Sequence, residues 1–157
     1  MVDDAERTPD LAASFPREAV RSGLHCADWR EAVRAAGSLL VATGAATEDY
    51  VDAIVRAVEE LGPYIVLAPG IALAHARPED GGTAVGFSLV KLAEPVEFGS
   101  EHNDPVDLVF AFASPDSEQH ITALAALADF IESGDNLARI RAASNDEELY
   151  RVIQEAN

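Results

Sequence analysis

Two stretches of this chain, residues 84–92 and 106–113, carry apolar side chains with almost no polar alternation. A strand with one face in water alternates apolar and polar residues, whereas a run without alternation is buried on both faces. A sheet built from such strands needs cover on each side. The chain supplies it as helical segments before and after the strands. The expected architecture is therefore α/β: a mixed β-sheet flanked by helices, in a single layered domain. A third β-rich run, residues 64–73, is interrupted by Pro69-Gly70 as a bend and leads directly to His75.

The helical segments announce their own ends. Asp28 stands where a helix cap is needed, and Glu31 follows three residues later as in a capping box. Trp29, Val33, Ala36 and Leu40 then recur at helical spacing, and Gly44 ends the element. Thr47 caps a second helix whose stripe is Val51, Ile54, Val55, Val58 and Leu61, stopped by Gly62-Pro63. Residues 19–26 read as an edge strand and Glu79-Asp80-Gly81-Gly82 as a turn. Residues 94–104 read as a polar connection. A strong helix runs from Ser117 to about Ser133, a short one over 136–142, and a last one begins at Asn145. Residues 1–15 are polar, contain Pro9 and show no period, so they read as a flexible arm ahead of a domain spanning 16–157.

Charge narrows the partners. The formal net charge is −17, and Lys91 is the only lysine. Such a field repels nucleic acid and anionic membrane surfaces. The excess of acid reads either as attraction for a basic protein partner or as a general compositional bias, and its even spread favours the second. No apolar run is long enough to span a membrane, and the acidic N-terminus lacks the features of a secretory signal. One cysteine, Cys26, excludes an intramolecular disulfide. A cytoplasmic protein is expected.

The chemistry rests on histidines. His75 follows a buried strand and precedes Arg77-Pro78, so it should surface where a rigid element turns into a loop. Neutral imidazole is a good nucleophile near pH 7. His120 heads the stripe His120, Leu124, Leu127, Ile131 in the first turns of the long helix, where free N–H groups and the helix dipole favour anions. Taken alone, each histidine reads more readily as a bland residue, His75 as a capping or core histidine and His120 as a buried histidine satisfied by a neighbouring carbonyl. Arg77 reads as a phosphate-holding or steering residue, or as a member of a surface ion pair. His25 lies in the uncertain edge strand, His102 in a solvated loop, and Cys26 as a small core residue. Asn103-Asp104-Pro105 reads as a turn. There is no HExxH, no paired cysteine, no glycine-rich phosphate loop and no GxSxG. Two histidines with few other candidates suggest a group carrier.

The segments Leu61-Gly62-Pro63-Tyr64, Ala74-His75-Ala76-Arg77-Pro78-Glu79, Glu94-Pro95-Val96-Glu97-Phe98-Gly99 and Asn103-Asp104-Pro105-Val106 occur in this order, with Trp29–Gly37 before them and Ser117-Glu118-Gln119-His120 after. Together they resemble the enzyme IIA component of the bacterial phosphoenolpyruvate-dependent sugar phosphotransferase system, of the fructose/mannitol type and most like its ascorbate branch. The resemblance covers about residues 22–155. It implies that His75 accepts a phosphoryl group from the phosphocarrier protein HPr and passes it to a cysteine of an enzyme IIB partner, which serves a membrane enzyme IIC. It implies that His120 stabilises the phosphate, and that no metal or organic cofactor is required. Ile71, Leu73 and Pro78 are expected as an apolar docking rim. A homodimer is compatible with this reading. So is a second role, as a regulatory protein of the same fold whose phosphorylation state signals to a partner. Ala74 departs from the ascorbate branch, which usually has proline there, a change that could loosen the loop.

Overall fold

The computed structural model describes residues 11–155. Two single-turn 3-10 helices, Ala12–Ser14 and Arg17–Ala19, lead into β1 (Val20–Leu24). Helices α1 (Trp29–Ala42) and α2 (Glu48–Leu61) follow, then β2 (Val66–Ala68) and β3 (Ile71–Ala74). A 3-10 turn at Pro78–Asp80 precedes β4 (Gly86–Val96) and β5 (Val106–Ala113). Helices α3 (Ser117–Glu132), α4 (Gly134–Ala142) and α5 (Asp146–Glu155) complete the described chain.

The strands form one five-stranded mixed sheet in the order β1-β4-β5-β3-β2. β1 runs parallel to β4 and β3 parallel to β5, while β4–β5 and β2–β3 are antiparallel. The two apolar runs of the sequence are the core of β4 and the whole of β5, side by side in the middle of the sheet. Their two faces are unequal. Small residues, among them Ala72, Ala74, Ala111 and Ala113, face a core shared with Ala32, Val33, Ala36 and Leu40 of α1 and Tyr50, Ile54 and Val58 of α2. Large residues, among them Leu73, Leu89, Leu108, Phe110 and Phe112, share the opposite core with Leu127 and Phe130 of α3, Ile140 of α4, and Leu149 and Ile153 of α5. Small side chains on the first face let α1 approach closely enough for the buried Ser88 hydroxyl of β4 to donate to the Ala36 carbonyl at 2.8 Å.

Two local conflicts are resolved by hydrogen bonding. Lys91 interrupts an apolar strand, but its Nζ donates to the carbonyls of Ile140, Arg141 and Ala143 at 3.2, 2.6 and 2.7 Å. These are carbonyls at the C-terminal end of α4, where a cation is favoured and acceptors lack helical partners. Asp104 accepts from the backbone N–H groups of Phe98, Gly99 and Ser100, which folds the loop between β4 and β5.

The helix caps follow the expectation. Asp28 accepts from Glu31 N–H at 2.9 Å and Thr47 from Tyr50 N–H at 3.4 Å. Gly62, at φ +88°, closes α2. Four readings change. The run 64–73 is a hairpin of two short strands, because Gly70, at φ +78°, turns the chain back. β4 continues to Val96, into the stretch read as a polar connection, because Val96 still pairs with Val106. The buried stripe of α3 is Ala123, Ala126, Leu127 and Phe130, one step round the helix from the expected one. Of the arm, residues 1–10 lie outside the described residues, whereas Phe15 is fully buried and stacks on Phe87 with ring centroids 5.9 Å apart. The core therefore begins no later than Leu11.

Candidate functional site

Pairing between β3 and β5 ends at Ala74 and Ala111, and His75 is the first residue beyond it. Ala74, the departure from the ascorbate pattern, is buried inside this ladder, so the residue before His75 is held. His75 opens onto a cleft of about 730 Å³. One wall comes from α2 through Arg56, Glu60 and Leu61, another from the loop His75–Asp80, and a third from the first turns of α3 through Ser117, His120 and Ile121.

The His75 ring is fixed on several sides. Its Nδ1 lies 2.9 Å from the Leu73 carbonyl. A carbonyl only accepts, so Nδ1 carries the proton and the lone pair of the neutral ring is on Nε2. The ring stacks on Phe112 with centroids 5.3 Å apart and planes 21° apart. Tyr64 meets it edge-on at 6.1 Å. Burial pushes the His75 pKa below the ordinary imidazole value; the Leu73 carbonyl opposes this and the nearby His120 reinforces it. At neutral pH the ring is thus unprotonated at Nε2.

His120 stands beside it, with ring centroids 5.8 Å from His75 and 5.0 Å from Phe112. The one-step rotation of the α3 stripe puts His120 at its edge, facing the cleft. The alternative of a buried histidine satisfied by a neighbouring carbonyl does not fit: its Nδ1 is buried without a hydrogen-bond partner among the described residues. Burial lowers the His120 pKa, and the charge of Glu79 works against that. The helix end at His120 is already partly occupied. Asp116 caps α3 by accepting from Gln119 N–H at 2.8 Å, and that bond holds its carboxyl below the usual range.

Arg77 is a cleft residue and a surface ion-pair residue at once. Its side chain is 77% exposed, with Nε 3.6 Å from Asp80. Of the expected docking rim, Pro78 lines the cleft but Ile71 and Leu73 do not. Ile71 and Leu73 are buried in the sheet, because the hairpin turns them inward. The exposed apolar groups at the cleft are Leu61 (73% exposed), Tyr64 and Ile121 (69%). Leu61, read as part of the α2 stripe, is not among the buried residues of that helix and lies exposed at its last position. His25 and His102 are exposed and away from the cleft. Among the described residues no group of three or more His, Cys, Asp or Glu is placed to hold a metal ion. No helix among them is long and apolar enough to cross a membrane.

Two features escaped the sequence reading. Arg56 lines the cleft from α2 without a carboxylate partner among the described residues. Tyr50 is fully buried beneath the loop and contacts both sides of the site through its hydroxyl. Its signal in the sequence was a tyrosine in the first turn of a helix whose other buried residues are aliphatic.

Known proteins are similar to this chain over nearly its whole length. The sequence model of the family described as "Phosphoenolpyruvate-dependent sugar phosphotransferase system, EIIA 2" matches residues 13–156. The ascorbate-specific PTS system EIIA component of Escherichia coli strain K12 is 37% identical over 141 residues, covering 89% of this chain and 92% of that protein. Among solved structures, the mannitol-specific cryptic phosphotransferase enzyme IIA CmtB from Escherichia coli superposes with a TM-score of 0.84 at 31% identity, over 92% of this chain and 98% of that one. Enzyme IIA of the mannitol system from Escherichia coli, in complex with phosphorylated enzyme IIB, gives a TM-score of 0.75 at 26% identity over 88% of this chain and 97% of that one.

Proposed function

The chain belongs to the EIIA 2 family of the phosphoenolpyruvate-dependent sugar phosphotransferase system, and from that premise we propose that His75 is its phosphoryl carrier. His75 takes the group from phospho-HPr and passes it to a cysteine of an enzyme IIB, in the service of a membrane enzyme IIC for an ascorbate-like sugar. The observation that carries this reading is the pinned His75 ring. Nδ1 donates to Leu73, so Nε2 alone is free, at the mouth of a cleft open to a partner.

The transfer follows from that geometry. The Nε2 lone pair forms a bond to phosphorus as the donor nitrogen–phosphorus bond breaks, and the donor imidazole leaves with the electron pair. No proton need move at His75, because Nδ1 keeps its hydrogen and the Leu73 carbonyl faces the positive charge that develops on the ring. Phosphoryl transfer asks a protein mainly for alignment and charge stabilisation. His120, whose buried nitrogen has no protein partner, fits a group that engages the phosphate oxygens, and Arg77 and Arg56 add cationic charge to the cleft wall. The thiolate of the IIB cysteine then attacks the same phosphorus and returns His75 to its starting tautomer. Support for a IIB partner is the mannitol enzyme IIA relative, solved in complex with phosphorylated enzyme IIB. The exposed Leu61, Tyr64 and Ile121 offer an apolar rim for such a partner.

The test is incubation with phosphoenolpyruvate, enzyme I and HPr, read by intact mass at neutral pH. Wild type should gain one acid-labile phosphate, His75→Ala none, and His120→Ala should gain it at least tenfold more slowly. Phosphate on His75→Ala would overturn the assignment. Adding enzyme IIB should then drain the phosphate; retention would favour the regulatory role.

A further inference from the structure

Beyond Ala74 the chain meets two conflicting demands. His75 has to leave the sheet to be reached, yet its ring has to be held. Backbone rungs cannot satisfy both, because they keep a strand at ladder spacing. The Tyr50 hydroxyl fills this gap. It accepts from Ala76 N–H at 3.1 Å and donates to the Phe112 carbonyl at 2.8 Å. Ala76 directly follows His75, and Phe112 carries the ring on which the imidazole stacks. Burial pushes the Tyr50 pKa up to about 12, so the hydroxyl keeps its proton for Phe112.

We propose that Tyr50 is a positioning residue for His75, its hydroxyl replacing the missing rung of the β3–β5 ladder and so holding the imidazole in the Nδ1-protonated tautomer with Nε2 presented to the cleft.

The physical reason is the cost of the alternative. Without the hydroxyl, the Ala76 N–H and the Phe112 carbonyl are left buried and unpaired, and each regains a partner only if the loop shifts. His75 is then fixed by Leu73 on one side alone. The same end of α2 also holds the far end of the loop: Thr47 N–H donates to the Gly81 carbonyl at 3.0 Å, and Ala46 bridges Gly82. One helix end thus sets both ends of the segment that presents the nucleophile. A misplacement of about 1 Å can cost roughly 10²-fold in rate.

The inference rests on His75 being the nucleophile, but its decisive readouts need no phosphate donor. The full chain and Tyr50→Phe are compared by ¹⁵N NMR of the His75 ring, by amide exchange, and by rates of acceptance over a range of phospho-HPr concentrations. Wild type should show a single Nδ1–H tautomer, and an Ala76 amide exchanging as slowly as those of the ladder. Tyr50→Phe should show a mixture of tautomers and a kcat lower by about tenfold or more. Its KM should not change, because the buried hydroxyl cannot touch a donor. A variant with the wild-type tautomer would overturn the proposal, whatever its rate. So would a wild-type Ala76 amide that exchanges at loop speed, a result that needs no variant to fold. Should wild type accept no phosphate while the tautomer shifts as described, the carrier role falls and what stands is the hold of Tyr50 on the His75 ring.

Discussion

His75 is useful because one of its two nitrogens is committed. The Leu73 carbonyl takes Nδ1–H, so tautomer and ring orientation are set before a partner arrives. The same burial that holds the ring also lowers its pKa, and the sign of the pH response follows. Protonation would occupy Nε2 and abolish nucleophilicity. Because the folded-state pKa lies below the ordinary value of about 6.5, the rate of phosphoryl acceptance should be flat through neutral pH. It should decline only as pH falls below that value. Stopped-time acceptance measured at constant donor phosphorylation checks this, and a decline already beginning above pH 7 would contradict it. That His75, His120 and Arg77 border one cleft was foreshadowed in the sequence, because histidines are few and the signals flanking all three residues are strong. Tyr50 and Arg56 were not, because what matters in them is where a buried hydroxyl or an unpaired guanidinium points, and helical periodicity is silent on that.

At the scale of elements, the site gathers the end of β3, the end of β5 and the beginning of α3 against α2, which contributes from Tyr50 in its first turn to Leu61 in its last. Gly82 shows how tight this junction is. A Cβ there would run into the backbone carbonyl of Ser114, which closes β5. Gly82→Ala should therefore cost about 1–3 kcal/mol, seen as a lower thermal midpoint, and should also slow phosphoryl acceptance, since the turn continues the His75 loop. A midpoint matching wild type would show that the junction has slack. The elements themselves were largely readable. α1 and α2 declared their caps, and β5 declared its burial with boundaries that match. The β2–β3 hairpin was missed because three or four residues are too few to show a period. The end of β4 was missed because Glu94 and Pro95 look like loop residues, although Val96 rejoins the ladder.

For the whole molecule, charge is the dominant feature that packing does not explain. Six ion pairs among the described residues engage arginines on the surface, and exposed pairs contribute little individually. The net charge of −17 remains largely uncompensated. Self-repulsion in the compact state is relieved by screening, so the thermal midpoint should rise as sodium chloride is increased from low concentration to about 0.5 M. A falling midpoint would mean that the arginine pairs outweigh the repulsion. Finally, β3 and β5 pair in parallel although β4 lies between them in the chain and on the far side of β5 in the sheet. The proposed nucleophile His75, the Phe112 ring beneath it and the Tyr50 hydroxyl are thus contributed by segments that meet only once β3 has paired with β5. A half-formed molecule has no partial version of this site to offer. On the proposed reading, phosphorylation of His75 by the donor would double as a quality check, marking only those chains in which these segments have come together.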